Sequence, residues 1–170
     1  PTLFRSWTMA YLSTSALESG HDGKGLLKSF SPEVVVVGSG TIGLPMAAML
    51  ASVGIPVAAC DLNEDRIHGI NTGELPGVEE PLVELVKEAV RLNNLRGCLA
   101  LPQAETYMIC VPTPSTCAPD GRPSPDLSAV RSATLAVSKV AGPGCLVILE
   151  STVPVGATEE VVGSLLPRET

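Results

Sequence analysis

Aromatic residues are scarce in this sequence, which has two Tyr, two Phe and one Trp in 170 residues. Hydrophobic residues nevertheless make up 45% of the chain, so its core has to be built from Val, Leu, Ile, Ala and Met. Strands of a parallel sheet that is covered by helices on both faces are runs of such side chains. The composition therefore favours an α/β protein, and the length suits a single domain with a sizeable core.

Basic clusters and long apolar stretches are also missing. Eleven Lys and Arg against eighteen Asp and Glu give a net charge of -7, so nucleic acid is not an expected partner. No stretch is as long and apolar as a membrane span, and the short apolar run at 7–12 is too weak for a signal peptide. We expect a cytoplasmic protein with no membrane partner.

Metal-binding spacings do not occur either. The five cysteines form no C-x-x-C pair, and the two histidines lie far from any cysteine cluster. Zinc sites draw on such patterns. We therefore predict reduced thiols and no metal site.

Strand and helix signals alternate from residue 33 onwards. Val34–Val37 is a run of four valines that is typical of a buried strand. The predicted strands lie at 34–37, 56–60, 99–101, 106–111 and 145–149, and the predicted helices at 41–53, 63–71, 81–92, from Ser124 or Asp126 to about 140, and 157–166, with a loop at 115–125. This alternation predicts a doubly wound parallel sheet at 32–170, preceded by an extension of unknown role at 1–31.

A glycine-rich turn joins the first predicted strand to the first helix, with the sequence GSGTIG. Gly38 permits a sharp turn, Gly40 lets the backbone approach a pyrophosphate, and Gly43 lets the helix pack closely against the strand. The N–H groups of the helix start, around Thr41 and Ile42, are then available to phosphate oxygens. In this strand–turn–helix context the motif predicts a Rossmann-type dinucleotide site, although a turn of this kind that binds nothing remains the alternative.

An acidic residue completes the dinucleotide pattern. Asp61 ends the second predicted strand, 21 residues after Gly40 (61 − 40). A carboxylate there accepts hydrogen bonds from the adenosine ribose and repels a 2′-phosphate, which favours NAD over NADP. Arg66 is the neighbouring cation, and it either reaches a cofactor phosphate or is solvated on its helix face.

Four stretches carry a resemblance to a known family. The chain resembles the NAD-binding domain of the UDP-glucose/GDP-mannose dehydrogenases, and within that family it is most similar to the UDP-N-acetyl-D-mannosamine dehydrogenases. The stretches are Gly38–Ala47 (GSGTIGLPMA), Gly73–Leu82 (GELPGVEEPL), Val111–Pro114 (VPTP) and Val147–Glu159 (VILESTVPVGATE).

The resemblance implies an oxidation of the C6 alcohol of a UDP-sugar to a carboxylate, with two successive hydride transfers to two NAD. It implies that Thr113 helps to place water and cofactor near the reacting carbon, as a catalytic residue. It also implies that Val111, Pro112 and Thr152 border the cofactor and that Glu79 borders the substrate cleft. Full-length members of the family are expected to be homodimers.

The residues themselves leave other roles open. Thr113 and Thr152 follow predicted strands, where ligand crevices of open α/β sheets lie. Thr113 is equally suited to a turn between two prolines, and Thr152 to a helix N-cap. Glu79 is at least as well explained as a solvated residue at a helix N-terminus.

Several residues that the resemblance calls for are absent. The family's thiol nucleophile, a carboxylate and a lysine belong to motifs that this sequence lacks, so we expect the 170 residues alone to bind NAD without oxidising a sugar. Two alternatives remain at this point. One is the cofactor domain of a 3-hydroxyacid or 6-phosphogluconate-type dehydrogenase, whose phosphate turn is similar, and the other is a non-catalytic NAD-binding module.

Overall fold

Five parallel strands form the centre of the computed structural model, which describes residues 30–117 and 121–166. The strands are β1 (Val34–Val37), β2 (Val57–Cys60), β3 (Leu95–Cys98), β4 (Thr106–Ile109), β5 (Ser115–Cys117), β6 (Pro123–Pro125) and β7 (Leu146–Leu149). The helices are α1 (Gly43–Ser52), α2 (Glu64–Thr72), α3 (Glu80–Arg91), α4 (Ser128–Val137) and a π-helix at Thr158–Gly163. The order across the sheet is β3-β2-β1-β4-β7, which confirms the predicted Rossmann-type α/β fold.

The central strand β1 pairs with β2 on one side and with β4 on the other. Val34 is in register with Val57 of β2 and with Thr106 of β4. Val35, Val36 and Val37 are fully buried because helices cover both faces of the sheet. This is why the strand is a run of valines and does not alternate with polar residues.

Two apolar clusters lie on opposite faces of the sheet. On one face, α1, α2 and α3 bury Ala47, Ala48, Ile70 and Val86 against Val36. On the other face, α4 and the π-helix bury a set of small and branched side chains against the sheet: Val130, Ala133, Val137, Val161 and Val162. The scarcity of aromatic residues is thus matched by close packing of Ala and Val.

The fold also includes the end of the expected N-terminal extension. Residues 1–29 of that extension lie outside the described residues. Phe30 packs against the cluster on the α4 face, and the Arg96 guanidinium lies 4.6 Å from the centroid of its ring. Phe30 is therefore part of the packing of the domain, two positions before the predicted start at residue 32.

The predicted strand at 99–101 is wrong, because β3 lies at Leu95–Cys98. As the edge strand, β3 bonds β2 on one side only, and Gly97 points its backbone groups away from β2. The Asn71 side chain accepts from the Gly97 N–H at 2.8 Å and donates to the Gly97 carbonyl at 3.0 Å. Strand β3 could not be predicted from an apolar run, because it contains Arg96 and Gly97. Its outer hydrogen bonds come from a side-chain amide and not from another strand.

The segment after β4 is more ordered than the sequence indicates. The predicted loop at 115–125 contains a short antiparallel pair, β5 and β6, in which Ser115 is in register with Pro125. Helix α4 is shorter than predicted and begins next to Asp126, whose carboxylate accepts the Ser128 N–H at 2.9 Å. The last predicted helix, at 157–166, is the six-residue π-helix.

Helix starts and stops follow the local chemistry. Asn63 is the N-cap of α2, and its side-chain oxygen accepts the Arg66 N–H at 3.1 Å, as predicted. Gly54, just after α1, has φ +93°, which a residue without Cβ adopts at little cost. Within 30–117 and 121–166, no helix is long and apolar enough to cross a membrane.

Gly43→Ala is expected to destabilise the domain. A Cβ at Gly43 would overlap the Gly38 carbonyl oxygen and lie 3.1 Å from the Cys110 Cβ. Because the first of these atoms belongs to the backbone, the helix has to shift away from β1, at a cost of about 3 kcal/mol. The measurement is the free energy of unfolding in urea.

The matched control is Gly142→Ala, because nothing lies within 4 Å of an added Cβ there. Its free energy of unfolding should stay within about 0.5 kcal/mol of the parent chain. Equal stability of the two variants would show that the contact between α1 and the Gly38 carbonyl is not tight.

Candidate cofactor site

A cleft of about 520 Å³ opens at the carboxyl ends of β1, β2, β4 and β7. One wall is the glycine-rich turn with the residues that follow β2, and the other is made by the loops after β4 and β7. The lining residues are Gly38, Gly40, Thr41, Ile42, Asp61, Asn63, Arg66, Cys110, Val111, Pro112, Thr113, Glu150, Ser151 and Thr152.

The glycine-rich turn is held to the neighbouring strands by its backbone. Gly38 has φ +95° and donates its N–H to the Cys60 carbonyl at 2.8 Å. A Cβ on Gly38 would lie 3.0 Å from the Cys110 carbonyl oxygen. Gly38 is thus required by the turn, and Gly43 by the approach of α1. Gly43 does not line the cleft.

Gly40 differs from the other two glycines of the motif. A Cβ at Gly40 would meet only Arg66 Nη1, at 3.6 Å, so the protein itself leaves room for a side chain there. Among the described residues, no protein acceptor bonds the backbone N–H groups of Thr41 and Ile42. The packing of the chain therefore does not require a glycine at position 40, and the space beside it opens into the cleft.

Asp61 is held in place by backbone donors. Its Oδ2 accepts the Ser39 N–H at 2.9 Å and its Oδ1 accepts the Asn63 N–H at 3.0 Å. The side chain keeps 20% of its accessible surface, so lone pairs remain open to the cleft. The carboxylate thus joins the end of β2 to the glycine-rich turn, which leaves it oriented before any ligand arrives.

Arg66 extends from α2 across the glycine-rich turn. Its Nη1 donates to the Ser39 carbonyl at 2.8 Å, and its Nε lies 4.0 Å from Asp61 Oδ2. With 40% of the side chain exposed, this ion pair adds little stability. It places a positive charge at the lip of the cleft.

The opposite wall is tied together by two hydroxyl groups. Thr113 Oγ1 donates to the Thr152 carbonyl at 2.8 Å, and Ser151 Oγ donates to the Val111 carbonyl at 2.6 Å. The structure thus brings Thr113 and Thr152 together from two loops. The alternative role of Thr152 as a helix N-cap is wrong, since the π-helix begins at Thr158 and Ala157 is its N-cap.

The floor of the cleft includes a thiol. Cys110 follows β4 directly, and its burial, with a smaller contribution from the Glu150 carboxylate, raises its pKa to about 11. A thiol with this pKa is almost entirely protonated near neutral pH. Cys110 therefore contributes volume and apolar surface to the cleft.

Glu79 lies outside this cleft. It lines an adjoining groove of about 680 Å³ together with the segment 74–78 and Leu82, and the groove shares Gly40, Thr41 and Arg66 with the cleft. Glu79 is the N-cap residue of α3 but makes no side-chain capping bond. Glu79 is exposed. This exposure agrees with the alternative interpretation, in which Glu79 is a solvated residue at the start of a helix.

Some residues at the site carried no functional prediction. Asn63, Cys110 and Glu150 line the cleft, and the Ser39 N–H reaches Asp61. Their position in the sequence could have indicated them, because each lies within the first residues after a strand of the sheet or in the glycine-rich turn. Among the described residues, no group of three or more His, Cys, Asp and Glu is placed to hold a metal ion.

Comparisons with known proteins converge on one family. The model of the UDP-glucose/GDP-mannose dehydrogenase family, NAD binding domain, matches residues 32–170. The UDP-N-acetyl-D-mannosamine dehydrogenase of Methanococcus maripaludis is 41% identical over 134 residues, which are 78% of this chain and 31% of that protein. The enzyme of that name from Escherichia coli is 41% identical over 128 residues, 75% of this chain and 30% of that protein.

Solved structures agree with the sequence matches. The UDP-N-acetyl-mannosamine dehydrogenase of Staphylococcus aureus superposes with a TM-score of 0.72 at 28% identity, over 78% of this chain and 32% of that chain. The UDP-D-ManNAc dehydrogenase of Pyrococcus horikoshii gives a TM-score of 0.70 at 36% identity, over 78% and 31%. The chain thus spans about a third of the length of these relatives. Residues 32–170 belong to the UDP-glucose/GDP-mannose dehydrogenase family and form its NAD binding domain.

Proposed function

We propose that the cleft is the NAD site of a nucleotide-sugar 6-dehydrogenase that acts on UDP-N-acetyl-D-mannosamine. NAD bound there would accept the hydride in each of two successive oxidations, one NAD molecule for each, and with one water these would convert the C6 alcohol of the sugar to a carboxylate. The observation that carries the proposal is the position of Asp61, whose carboxylate is held by two backbone N–H groups beside the glycine-rich turn. The choice of sugar is supported by the names of the relatives.

The residues of the first wall suit the diphosphate and adenosine parts of NAD. The backbone N–H groups of Thr41 and Ile42 stand at the N-terminus of the ten-residue helix α1, where the helix dipole favours negative charge. Gly40 leaves space for phosphate oxygens, and Arg66 adds a positive charge at the lip. Asp61 accepts hydrogen bonds from the ribose hydroxyls and disfavours a 2′-phosphate by charge repulsion.

The second wall, which includes Val111 and Pro112, suits the nicotinamide part. Because the Thr113 hydroxyl donates to the Thr152 carbonyl, its oxygen is left as an acceptor. As the proposed catalytic residue, Thr113 therefore holds a water or cofactor N–H in place and has no proton free to donate. Glu79 is proposed to border the sugar nucleotide in the adjoining groove, next to the phosphate turn.

Asp61→Ala is expected to weaken NAD binding by about 1–3 kcal/mol, because charge-assisted hydrogen bonds to the ribose and the anchor of the Ser39 N–H are both lost. Isothermal titration calorimetry of the 170-residue chain with NAD measures this change. The control is Glu105→Ala, which removes the same charge from an exposed residue just before β4. Glu105 lies at the amino ends of the strands, whereas the cleft lies at their carboxyl ends. If both variants keep the parent affinity, Asp61 does not bind the cofactor.

The 170-residue chain is expected to form no NADH when it is mixed with NAD and UDP-N-acetyl-D-mannosamine. The sequence lacks the lysine and the carboxylate that the family resemblance calls for, so the first oxidation of the alcohol is not expected either. Oxidation of the intermediate aldehyde through a thiohemiacetal further requires an activated thiolate. Cys110 is the cysteine that lines the cleft, and its raised pKa opposes that role. The measurement is the absorbance of NADH over time, and steady turnover would contradict the prediction.

Cys110 is also expected to react slowly with iodoacetamide near neutral pH. A pKa of about 11, against the ordinary value of 9.0, lowers its thiolate fraction about 100-fold. Cys110 and Cys117 lie in one tryptic peptide, 97–131, and fragmentation of that peptide in tandem mass spectrometry should show the exposed Cys117 modified before Cys110. Labelling of Cys110 should rise about tenfold for each pH unit until the pH reaches its pKa. Equal rates for the two thiols near neutral pH would refute a raised pKa.

A further inference from the structure

Two hydrogen bonds join the loop after β4 to the loop after β7, and we call this pair the loop clamp. Ser151 Oγ donates to the Val111 carbonyl at 2.6 Å, and Thr113 Oγ1 donates to the Thr152 carbonyl at 2.8 Å. Each loop donates one hydroxyl hydrogen bond and accepts one at a backbone carbonyl, so the two bonds resist both separation and sliding of the loops. They form one wall of the cleft in a single arrangement.

The Ser151 bond is the more protected of the two, because it is partly buried whereas the Thr113 bond is exposed. Ser151 itself is half-buried, and the Ile109 carbonyl lies within 3.4 Å of Oγ as a second, longer acceptor. A serine hydroxyl has one proton, and the Val111 and Ile109 carbonyls beside Ser151 Oγ are both acceptors. The proton is therefore used in bonding to these two carbonyls. Ser151 therefore has no donor to offer a ligand, although it lines the cleft.

The clamp lies at one end of the cleft. Asp61 and the glycine-rich turn, at the other end, suit the adenosine and the diphosphate. A dinucleotide that is anchored there extends its nicotinamide half towards the loops after β4 and β7. ADP-ribose, which is NAD without the nicotinamide ring, keeps the ribose that carries the ring and lacks only the contact of the ring with these loops.

We propose that Ser151 is a positioning residue, whose hydrogen bond to Val111 holds the two loops at the spacing that accepts the nicotinamide ring of the dinucleotide. The proposal rests on the assignment of the cleft as the NAD site. It predicts that loss of the hydroxyl loosens the two loops before any ligand binds. It also predicts that binding of NAD weakens while binding of ADP-ribose does not.

The test compares Ser151→Ala with the parent chain by calorimetry with NAD and with ADP-ribose. The NAD affinity should fall about fivefold, as expected for one lost hydrogen bond, and the ADP-ribose affinity should stay within about twofold. Ser164→Ala is the matched control, because its hydroxyl also donates to a carbonyl at 2.6 Å, here the local Glu160. It should leave both affinities unchanged. Ser151→Thr, which retains the hydroxyl, should restore NAD binding.

Hydrogen–deuterium exchange of the ligand-free chain separates positioning from direct contact. In Ser151→Ala, exchange should become faster in the segments 109–117 and 150–157 and stay unchanged in α2. Weaker NAD binding with unchanged exchange would mean that Ser151 contacts the cofactor directly, and the proposal would then be wrong. If the alanine variant does not fold, Ser151→Cys takes its place, since it keeps the volume but donates only weakly.

The remaining outcomes are also decisive. Equal weakening for NAD and ADP-ribose, or no weakening of either, overturns the role of Ser151 but leaves the NAD site in place. Equal affinity of the parent chain for the two ligands likewise overturns it, because the nicotinamide ring would then contribute nothing to binding. If the parent chain binds neither ligand, the assignment of the cleft as the NAD site fails, and this inference fails with it.

Discussion

The close packing of Gly43 against the Gly38 carbonyl is the contact on which the site depends. It brings the start of α1 directly over the end of β1, with no space for even a methyl group. From that position the turn reaches β2 through the Gly38 N–H and the Ser39 N–H. The open N–H groups of the helix start are therefore placed at the mouth of the cleft by the backbone contacts of Gly38 and Gly43, together with the Asp61 carboxylate that accepts the Ser39 N–H.

The strand order explains why the cleft lies where it does. The sheet runs β3-β2-β1 in one direction from its centre and β4-β7 in the other, so the crossover helices leave β1 and β4 on opposite faces. The loops after these two strands separate and leave a crevice. One wall is anchored by the Asp61 carboxylate, which accepts a backbone N–H. The other wall is anchored by hydroxyl groups, such as that of Ser151, which donate to backbone carbonyls.

Short-range signals allowed much of this arrangement to be predicted from the sequence. The valine run of β1, the three glycines and the Asn63 cap each depend on neighbours within a few residues, and Asp61 follows from spacing alone. Strand β3 was missed because Gly97 is completed by Asn71, a contact between residues far apart in the sequence. The Ser151–Val111 bond was missed for the same reason, since a serine after a strand has many possible partners until the two loops meet.

The way in which Asn71 completes Gly97 has a consequence for how the sheet meets other molecules. Its amide occupies the N–H and the carbonyl that Gly97 would offer to another chain, and Gly97 has no side chain that would hold the amide away. An exposed strand edge is a template for aggregation, and here one short polar side chain obstructs it. Replacement of that amide by an apolar group would thus leave the buried Gly97 N–H and carbonyl unpaired beneath α2. Another chain could pair with them only after α2 moves aside, and the residues that line the cleft would not change.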